Sequence, residues 1–450
     1  MVTADNLNLD VLEMIFSHLP HQDLASTAVV SRSFFAGIIP RLYRDITYGL
    51  KHGKKYPRVA SPFGVIVAHP WLAKYVKHID IRFVPKIQTN FSQFHSKFLS
   101  ECTQTVQVAQ NLLTFKCTKP ILPLFLLPLR GKRALEELRV NANITTTQSN
   151  LLSELPNLSR LSLDAGSWNA ADMLPRWAPR LRSTLKHLTL YMSTEVNETV
   201  LEQLLPQLPR LVGLHIIGCP KVDHIVVMRL VSHVPQLESL SFSATESSKP
   251  FNSPPPYLNH LKHLSIDTRL SMIASPTPEV LSSILDHLRP SHPPLESFVM
   301  RLQDIKIIIG HSFIEQLVKD YAFTLAQVSF VECALEMESV IQLCHRCPHL
   351  ERLELPIPLK ELISFTAAVG RSSTIRTIVN SNRHTGHGPH QTLDARNVRY
   401  LMSNVRQLDK IISDKRIWMG KHVDNVLKVT FESSEQEPSG SYWFLPRPLD

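Results

Sequence analysis

Apolar residues recur along the chain in two registers. The first is a short alternating pattern, L-x-x-L-x-L. It appears at Leu135-Leu138-Val140, Leu158-Leu161-Leu163, Leu185-Leu188-Leu190, Leu211-Leu214-Ile216 and Leu237-Leu240-Phe242. It continues at Leu261-Leu264-Ile266, Leu295-Phe298-Met300, Leu325-Val328-Phe330 and Leu350-Leu353-Leu355. Weaker copies stand at Val76-Ile79-Ile81, Leu112-Phe115-Cys117, Ile375-Ile378-Asn380 and Leu408-Ile411. Alternation with period two predicts short strands, each burying one face. In the second register, apolar residues return on one face of a helix: Val200, Leu201, Leu204, Leu205, Leu208; Val226, Val227, Leu230, Val231, Val234; and Val280, Leu281, Ile284, Leu285, Leu288. Each set predicts an amphipathic helix of about two turns. Thr277 and Pro278 mark the start of the last as N-cap and first helical residue.

With the middle residue of each strand pattern as anchor, the intervals from Ile79 are 36, 23, 23, 27, 26, 26, 24, 34, 30, 25, 25 and 33. Most lie in or near the 20–29-residue period of leucine-rich repeats. The longer intervals hold turn-rich insertions, Ser271 to Pro278 with Arg289 to Pro294, and Ser381 to Thr392; the one from Ile79 to Phe115 has no such explanation. Strand and helix alternating at this period predict an α/β fold, a right-handed leucine-rich-repeat solenoid with parallel strands on the concave side and helices on the convex side. No single repeat covers its own leucines, and each contributes about 1.5–3 kcal/mol only when a neighbour does so. The run Leu211-x-x-Leu214-x-Ile216-x-Gly218-Cys219-x-x-Val222-Asp223 resembles the cysteine-containing subtype, with Cys219 where an asparagine otherwise satisfies backbone groups at the turn.

Residues 7–46 follow neither register. Leu9, Leu12, Ile15 or Phe16, and Leu19 share one helical face, which Pro20 ends; Asp23 precedes a second helix carrying Leu24 and Val29; Ser31 caps a third with Phe34, Phe35 and Ile38. Three short helices make a poor independent core, so the module calls for a partner or a neighbouring domain. The order Val11-Leu12-x-x-Ile15-Phe16-Ser17-x-Leu19-x-x-x-Asp23-Leu24, Val30-Ser31-Arg32-x-Phe34 and Pro40-x-Leu42-Tyr43 resembles an F-box. Asn8 stands where F-boxes usually carry proline, and Tyr43 where many carry Trp. The resemblance implies that the module binds the Skp-type linker of a cullin-RING ubiquitin ligase. By position Leu7, Asn8, Leu9, Leu12, Ile15, Leu19, Leu24 and Val30 are the candidate contacts. The alternative, that several of them, Ile15 and Val30 in particular, pack the module's own core, stays open.

Residues flanking the second leucine of each repeat point away from the core. They read Arg139, Ser162, Thr189, His215, Ser241, Ser265, Val299, Ser329, Glu354, and then Asn141, Asp164, Tyr191, Ile217, Ser243, Asp267, Arg301, Val331. The formal net charge is +9, yet these columns lack the clustered Lys, Arg and stacking aromatics of a nucleic-acid groove, so nucleic acid is not an expected partner. If a protein substrate binds the concave face, His187, Tyr191, His215, Ile217 and Arg301 are the anchors, since aromatic, apolar and Arg side chains dominate interfaces. A solvated sheet, with binding at loops or at the tail, is the competing expectation.

Other signals are weak. Six cysteines suit a reduced compartment, and neither a signal peptide nor a membrane span is expected: the most apolar stretch, Pro120 to Leu129, is interrupted by three prolines. The cytoplasm or nucleus is therefore expected. Cys344-x-x-Cys347 lacks a second cysteine pair and reads as core or turn, so no metal is expected. Gly49-x-x-x-Gly53-Lys54-Lys55 is one residue short of a phosphate loop and lacks the Ser or Thr. No His-Glu-x-x-His and no Gly-x-Ser-x-Gly occurs, so no catalytic residue and no cofactor are expected. The expected organisation is an F-box at 1–47, a basic linker at 48–70, twelve or thirteen irregular repeats at 71–413, and a C-terminal cap with a flexible tail at 414–450, in which Tyr442, Trp443 and Phe444 are placed to dock as a short peptide. The chain as a whole reads as a substrate-recognition adaptor without catalytic residues, or alternatively as a non-degradative scaffold.

Overall fold

The computed structural model describes residues 7–87, 93–247, 249–269, 276–302, 308–381, 392–423, 426–433 and 442–447. The chain divides into two units, 1–187 and 188–450.

The first unit opens with three helices, α1 (Leu9–Phe16), α2 (His21–Thr27) and α3 (Arg32–Leu42). Ser31 caps α3, accepting the Phe34 N–H at 3.2 Å. Pro20 does not merely end the first helix; it occupies the N-cap position of α2, so Asp23 lies inside the first turn of α2, where its charge favours the helix dipole. Leu12, Phe16, Leu24 and Ile38 form a small core, with Leu7, Leu19, Ala28, Phe34 and Leu42 packed on it. Helices α1 and α3 meet at Gly37, where a Cβ would lie 3.0 Å from the Leu12 Cβ and 3.1 Å from the Phe16 ring, so only a bare backbone fits comfortably.

Five parallel strands follow: Asp45–Tyr48, His78–Ile81, Thr114–Cys117, Glu137–Asn141 and Arg160–Asp164. Their anchors pair rung on rung, Ile46 with Ile79, Phe115, Leu138 and Leu161. The first rung is thus Ile46, one repeat earlier than the sequence pattern suggests. The stretch expected to be a basic linker is folded. Tyr48, Phe63 and Ile66 are buried, and the Tyr48 and Phe63 rings lie 4.6 and 5.7 Å from that of Phe98. Ser61 caps the helix Pro62–Ala68 and donates to Glu101 at 2.6 Å. The lysines of this stretch, Lys51, Lys54 and Lys55, lie between Tyr48 and Phe63 and hid these apolar residues.

In the second unit the strands Gly213–Ile217, Ser239–Ser243, His263–Asp267, Ser297–Arg301, Gln327–Val331, Arg352–Leu355, Thr377–Asn380 and Lys410–Ser413 run parallel in chain order. Leu214, Leu240, Leu264, Phe298, Val328, Leu353, Ile378 and Ile411 pair in register, each with the next. Register is held because a slip of one residue would turn every leucine out of the core. The predicted helices form at Glu198–Leu204, His224–Leu230 and Pro278–Leu288, the last with Thr277 in the N-cap position. At the turn after Ile217, Gly218 adopts φ 71° and the buried Cys219 thiol donates to the Leu190 carbonyl at 3.6 Å, which is the backbone role expected of it. The sheet ends in an antiparallel hairpin, Arg416–Val423 with Val426–Ser433, where Trp418 packs on Phe431 at 5.0 Å. Of the two turn-rich insertions, residues 271–275 and 382–391 lie outside the described residues.

Candidate interaction surfaces

On the N-terminal module the eight candidate contacts separate into two groups. Leu12 and Leu24 are core, 2% and 1% exposed, and Leu7 and Leu19 are half-buried against them. Leu9, Ile15 and Val30 are turned outward, 44%, 48% and 65% exposed, as are Met14, Val29 and Phe35. Ile15 and Val30, the residues most readily assigned to the core from sequence, are therefore not in it. The three short helices close around one small cluster, Leu12, Phe16, Leu24 and Ile38, and these apolar residues are left outside it. Asn8 precedes α1 with φ −58° and ψ 144°, exposed, its side chain making no cap hydrogen bond. That backbone is the one proline prefers, so the asparagine changes the side chain and leaves the turn as a proline would set it.

The second surface is the face of the sheet that carries the outward columns. Against the competing expectation of a solvated sheet, His215, Ile217, Ser241, Ser265 and Asp267 of the outward columns are buried, as is His263, all 2% exposed or less. The chain's own C-terminal segment covers His215, Ile217, Ser241 and His263. Residues 442–447, Tyr-Trp-Phe-Leu-Pro-Arg, lie across these strands, and Ile217, Tyr442 and Phe444 form a buried cluster with Tyr191, Trp443 and Leu445 packed on it. The Phe444 ring is fully buried, 5.8 Å from the rings of Tyr191 and His215 and stacked at 4.8 Å on Tyr442. Burial on this scale is worth about 1.5–3 kcal/mol. The Arg301 guanidinium lies 5.0 Å from the centre of the Trp443 ring, a cation–π contact.

Main-chain groups of the segment are read as well. The Phe444 carbonyl accepts from Ser241 Oγ at 3.0 Å and from His263 Nε2 at 2.8 Å. Gln327 Nε2 donates to the Arg447 carbonyl at 3.0 Å, and the Arg447 guanidinium pairs with Glu354 at 3.2 Å. Proton accounting fixes two tautomers. His263 Nε2 faces a carbonyl and must carry the proton, leaving Nδ1 to accept from Ser297 Oγ at 3.0 Å. Ser241 spends its hydroxyl proton on Phe444, so His215 Nδ1 is the donor across their 2.8 Å contact. Burial lowers the His263 pKa to about 4, the Phe444 carbonyl pulling it partly back, so the ring is neutral at physiological pH. Burial raises the Asp267 carboxyl to about 6, opposed by the Arg269 N–H and by Arg301. Glu332 is pushed up by burial, but the paired guanidinium groups of Arg301 (2.9 Å) and Arg269 (3.2 Å) outweigh this and hold it below the ordinary carboxylate range.

Of the five expected anchors, Tyr191, His215, Ile217 and Arg301 thus come together around the segment, while the half-buried His187 is the last residue of the first unit. His263, Gln327 and Glu354 were not anticipated as contacts. His263 and Gln327 lie two residues before the anchor column's outward neighbours, on the same face by strand alternation, and that third column carried the missing signal. Of the expected C-terminal cap and flexible tail, residues 442–447 are docked; residues 434–441 and 448–450 lie outside the described residues. Cys344 and Cys347 are buried, and burial pushes both thiols up to about 12. Among the described residues no helix is long and apolar enough to cross a membrane.

Residues 5–36 match the F-box domain family model, the stretch that forms α1, α2 and the first five residues of α3. The chain therefore carries an F-box domain at its N-terminal end, and the strands that follow, stacked in parallel with helices between them at leucine-anchored spacing, have the architecture of leucine-rich repeats. Both are protein-interaction modules. No curated protein matches the chain. Among solved structures, the chain is similar to that of the yeast Rad7 and Elc1 complex, at 15% identity over 84% of this chain and 89% of that one, with a TM-score of 0.44. The Toll–Spatzle complex of Drosophila matches at 12% identity over 82% and 46%, TM-score 0.34. A leucine-rich-repeat protein of Leptospira interrogans matches at 14% identity over 82% and 93%, TM-score 0.29.

Proposed function

We propose that this chain is a substrate-recognition adaptor of a Skp–cullin–F-box ubiquitin ligase. Its F-box binds the Skp-type linker and its repeats hold a protein substrate. The observation that carries the reading is the outward set Leu9, Ile15 and Val30 on a module whose core is already closed by Leu12, Phe16, Leu24 and Ile38. Exposed apolar residues in this number on a small module support a partner interface. The adaptor supplies no catalytic residue; it acts by raising the effective concentration of a substrate lysine near the loaded conjugating enzyme. The chain works inside the cell, in cytoplasm or nucleus, where that machinery resides.

The test is copurification with a recombinant Skp-type linker, comparing the intact chain with an Ile15→Asp, Val30→Asp double variant. Both substitutions are on exposed positions, so circular dichroism should show an unchanged fold. Loss of the linker from the variant alone supports the adaptor. An intact chain that fails to retain the linker overturns it and leaves the non-degradative scaffold, a reading that Asn8 in place of proline favours.

A further inference from the structure

We propose that the sheet face of the second unit is a peptide groove, and that residues 442–447 occupy it as a built-in competitor of the substrate. The partner segment it fits carries two aromatic side chains two residues apart and a basic residue three positions further on, the pattern of Tyr442, Phe444 and Arg447. This rests on the reading of the repeats as the substrate-holding part and names the chemistry they select.

Three observations carry it. First, the groove reads the segment in a way that another peptide reproduces. Ser241, His263 and Gln327 bond main-chain carbonyls, which every peptide has, while Ile217 with Tyr191 and the Glu354 carboxylate select apolar rings and a cation. Main-chain bonds for affinity and spaced pockets for specificity are how extended peptides are recognised. Second, the strands pair with one another through their own ladders, so the sheet's hydrogen bonding is complete without the tail. Third, the tail fits imperfectly. Among the described residues the Trp443 Nε1–H, Asp267 Oδ2 and Ser265 Oγ are buried without hydrogen-bond partners, and a buried polar group left unpaired is costly. A segment that leaves no such group unpaired binds better than the tail does. The tail's advantage is its tether, which gives it an effective concentration on the order of millimolar.

The test uses the full chain and a fluorescein-labelled nonapeptide with the sequence of residues 442–450, Tyr-Trp-Phe-Leu-Pro-Arg-Pro-Leu-Asp, followed by fluorescence polarisation. The intact chain, with its groove filled, binds the probe weakly. A Phe444→Asp chain, and separately a chain ending at Ser441, bind it at least tenfold more tightly. Adding Glu354→Lys to the Phe444→Asp chain abolishes the gain, as does replacing either the Tyr or the Phe of the probe by Ala. Equal binding by the intact chain and both tail variants overturns the proposal, provided their circular dichroism spectra match. A concentration-dependent dimer of the intact chain that is lost on truncation also overturns it, because the tail would then serve a second copy. Copurification of the Skp-type linker does not involve this groove, so the two readings fail independently.

Discussion

His263 makes docking of the tail depend on pH, and the size of the effect follows from the structure. Docked, the imidazole is neutral with a pKa of about 4, because burial removes it from water. Released, it returns toward the ordinary value of about 6.5. The docked state is the one that resists protonation. Docking is therefore at full strength above about pH 6.5, weakens as pH falls toward about 4, and levels off below that. The gap of about two and a half units corresponds to about 3 kcal/mol at its limit. Between pH 7 and pH 5 it weakens docking roughly 20-fold. Asp267 works in the opposite sense: burial raises its carboxyl to about 6, so the docked state takes up a proton there and acid favours docking between about 6 and 4. The two must be separated by comparison. In a His263→Gln chain the amide still donates to the Phe444 carbonyl but does not titrate. We would label the five tryptophans with 5-fluorotryptophan, assign Trp443 by its loss in Trp443→Phe, and follow docked and free signals by fluorine NMR. A Phe444→Val background brings the released population into range. The expected result is a docking constant that falls from pH 7 to pH 5 about 20-fold more in the histidine chain than in the glutamine chain. Parallel pH profiles would refute the reasoning, showing that burial of His263 does not depend on the tail.

Two further outcomes concern the N-terminal module. Leu12→Ala, at a side chain that is 2% exposed and packed against Gly37, should cost about 2–5 kcal/mol of module stability, whereas Ile15→Ala should change it by about 0.5 kcal/mol or less while weakening linker retention; thermal unfolding followed by circular dichroism and a pull-down separate the two, and equal destabilisation would place Ile15 in the core. Asn8→Pro should be tolerated or stabilising by about 0.4–1 kcal/mol, since φ is already −58°, and should strengthen linker binding in calorimetry; a destabilised module would mean that the asparagine side chain or its N–H makes a contact worth keeping.

The sequence by itself determined the repeats. The period of the leucines specifies strand and helix locally, and register follows because any slip exposes the whole apolar set, so the anchors from Phe115 to Leu161 and from Leu214 to Ile411 stack as their spacing implies. The Ser31 cap and the Pro278 start were legible for the same reason: their interactions span three residues or fewer. The F-box was legible as an ordered motif, but its division into core and surface was not. Periodicity marks Leu12 and Ile15 alike as apolar, and only the approach of α1 and α3 at Gly37 decides which of them is enclosed. The first repeat at Ile46 was hidden because the basic run Lys51, Lys54, Lys55 and Arg58 separates Tyr48 from Phe63 and Ile66 and reads as a linker. Least legible was the filled groove. Phe444 meets Ser241 and His263 across about 200 residues of chain, a separation at which no local pattern carries information. Only the folded sheet, by aligning one outward residue from each repeat, creates the surface that the C-terminal aromatics cover.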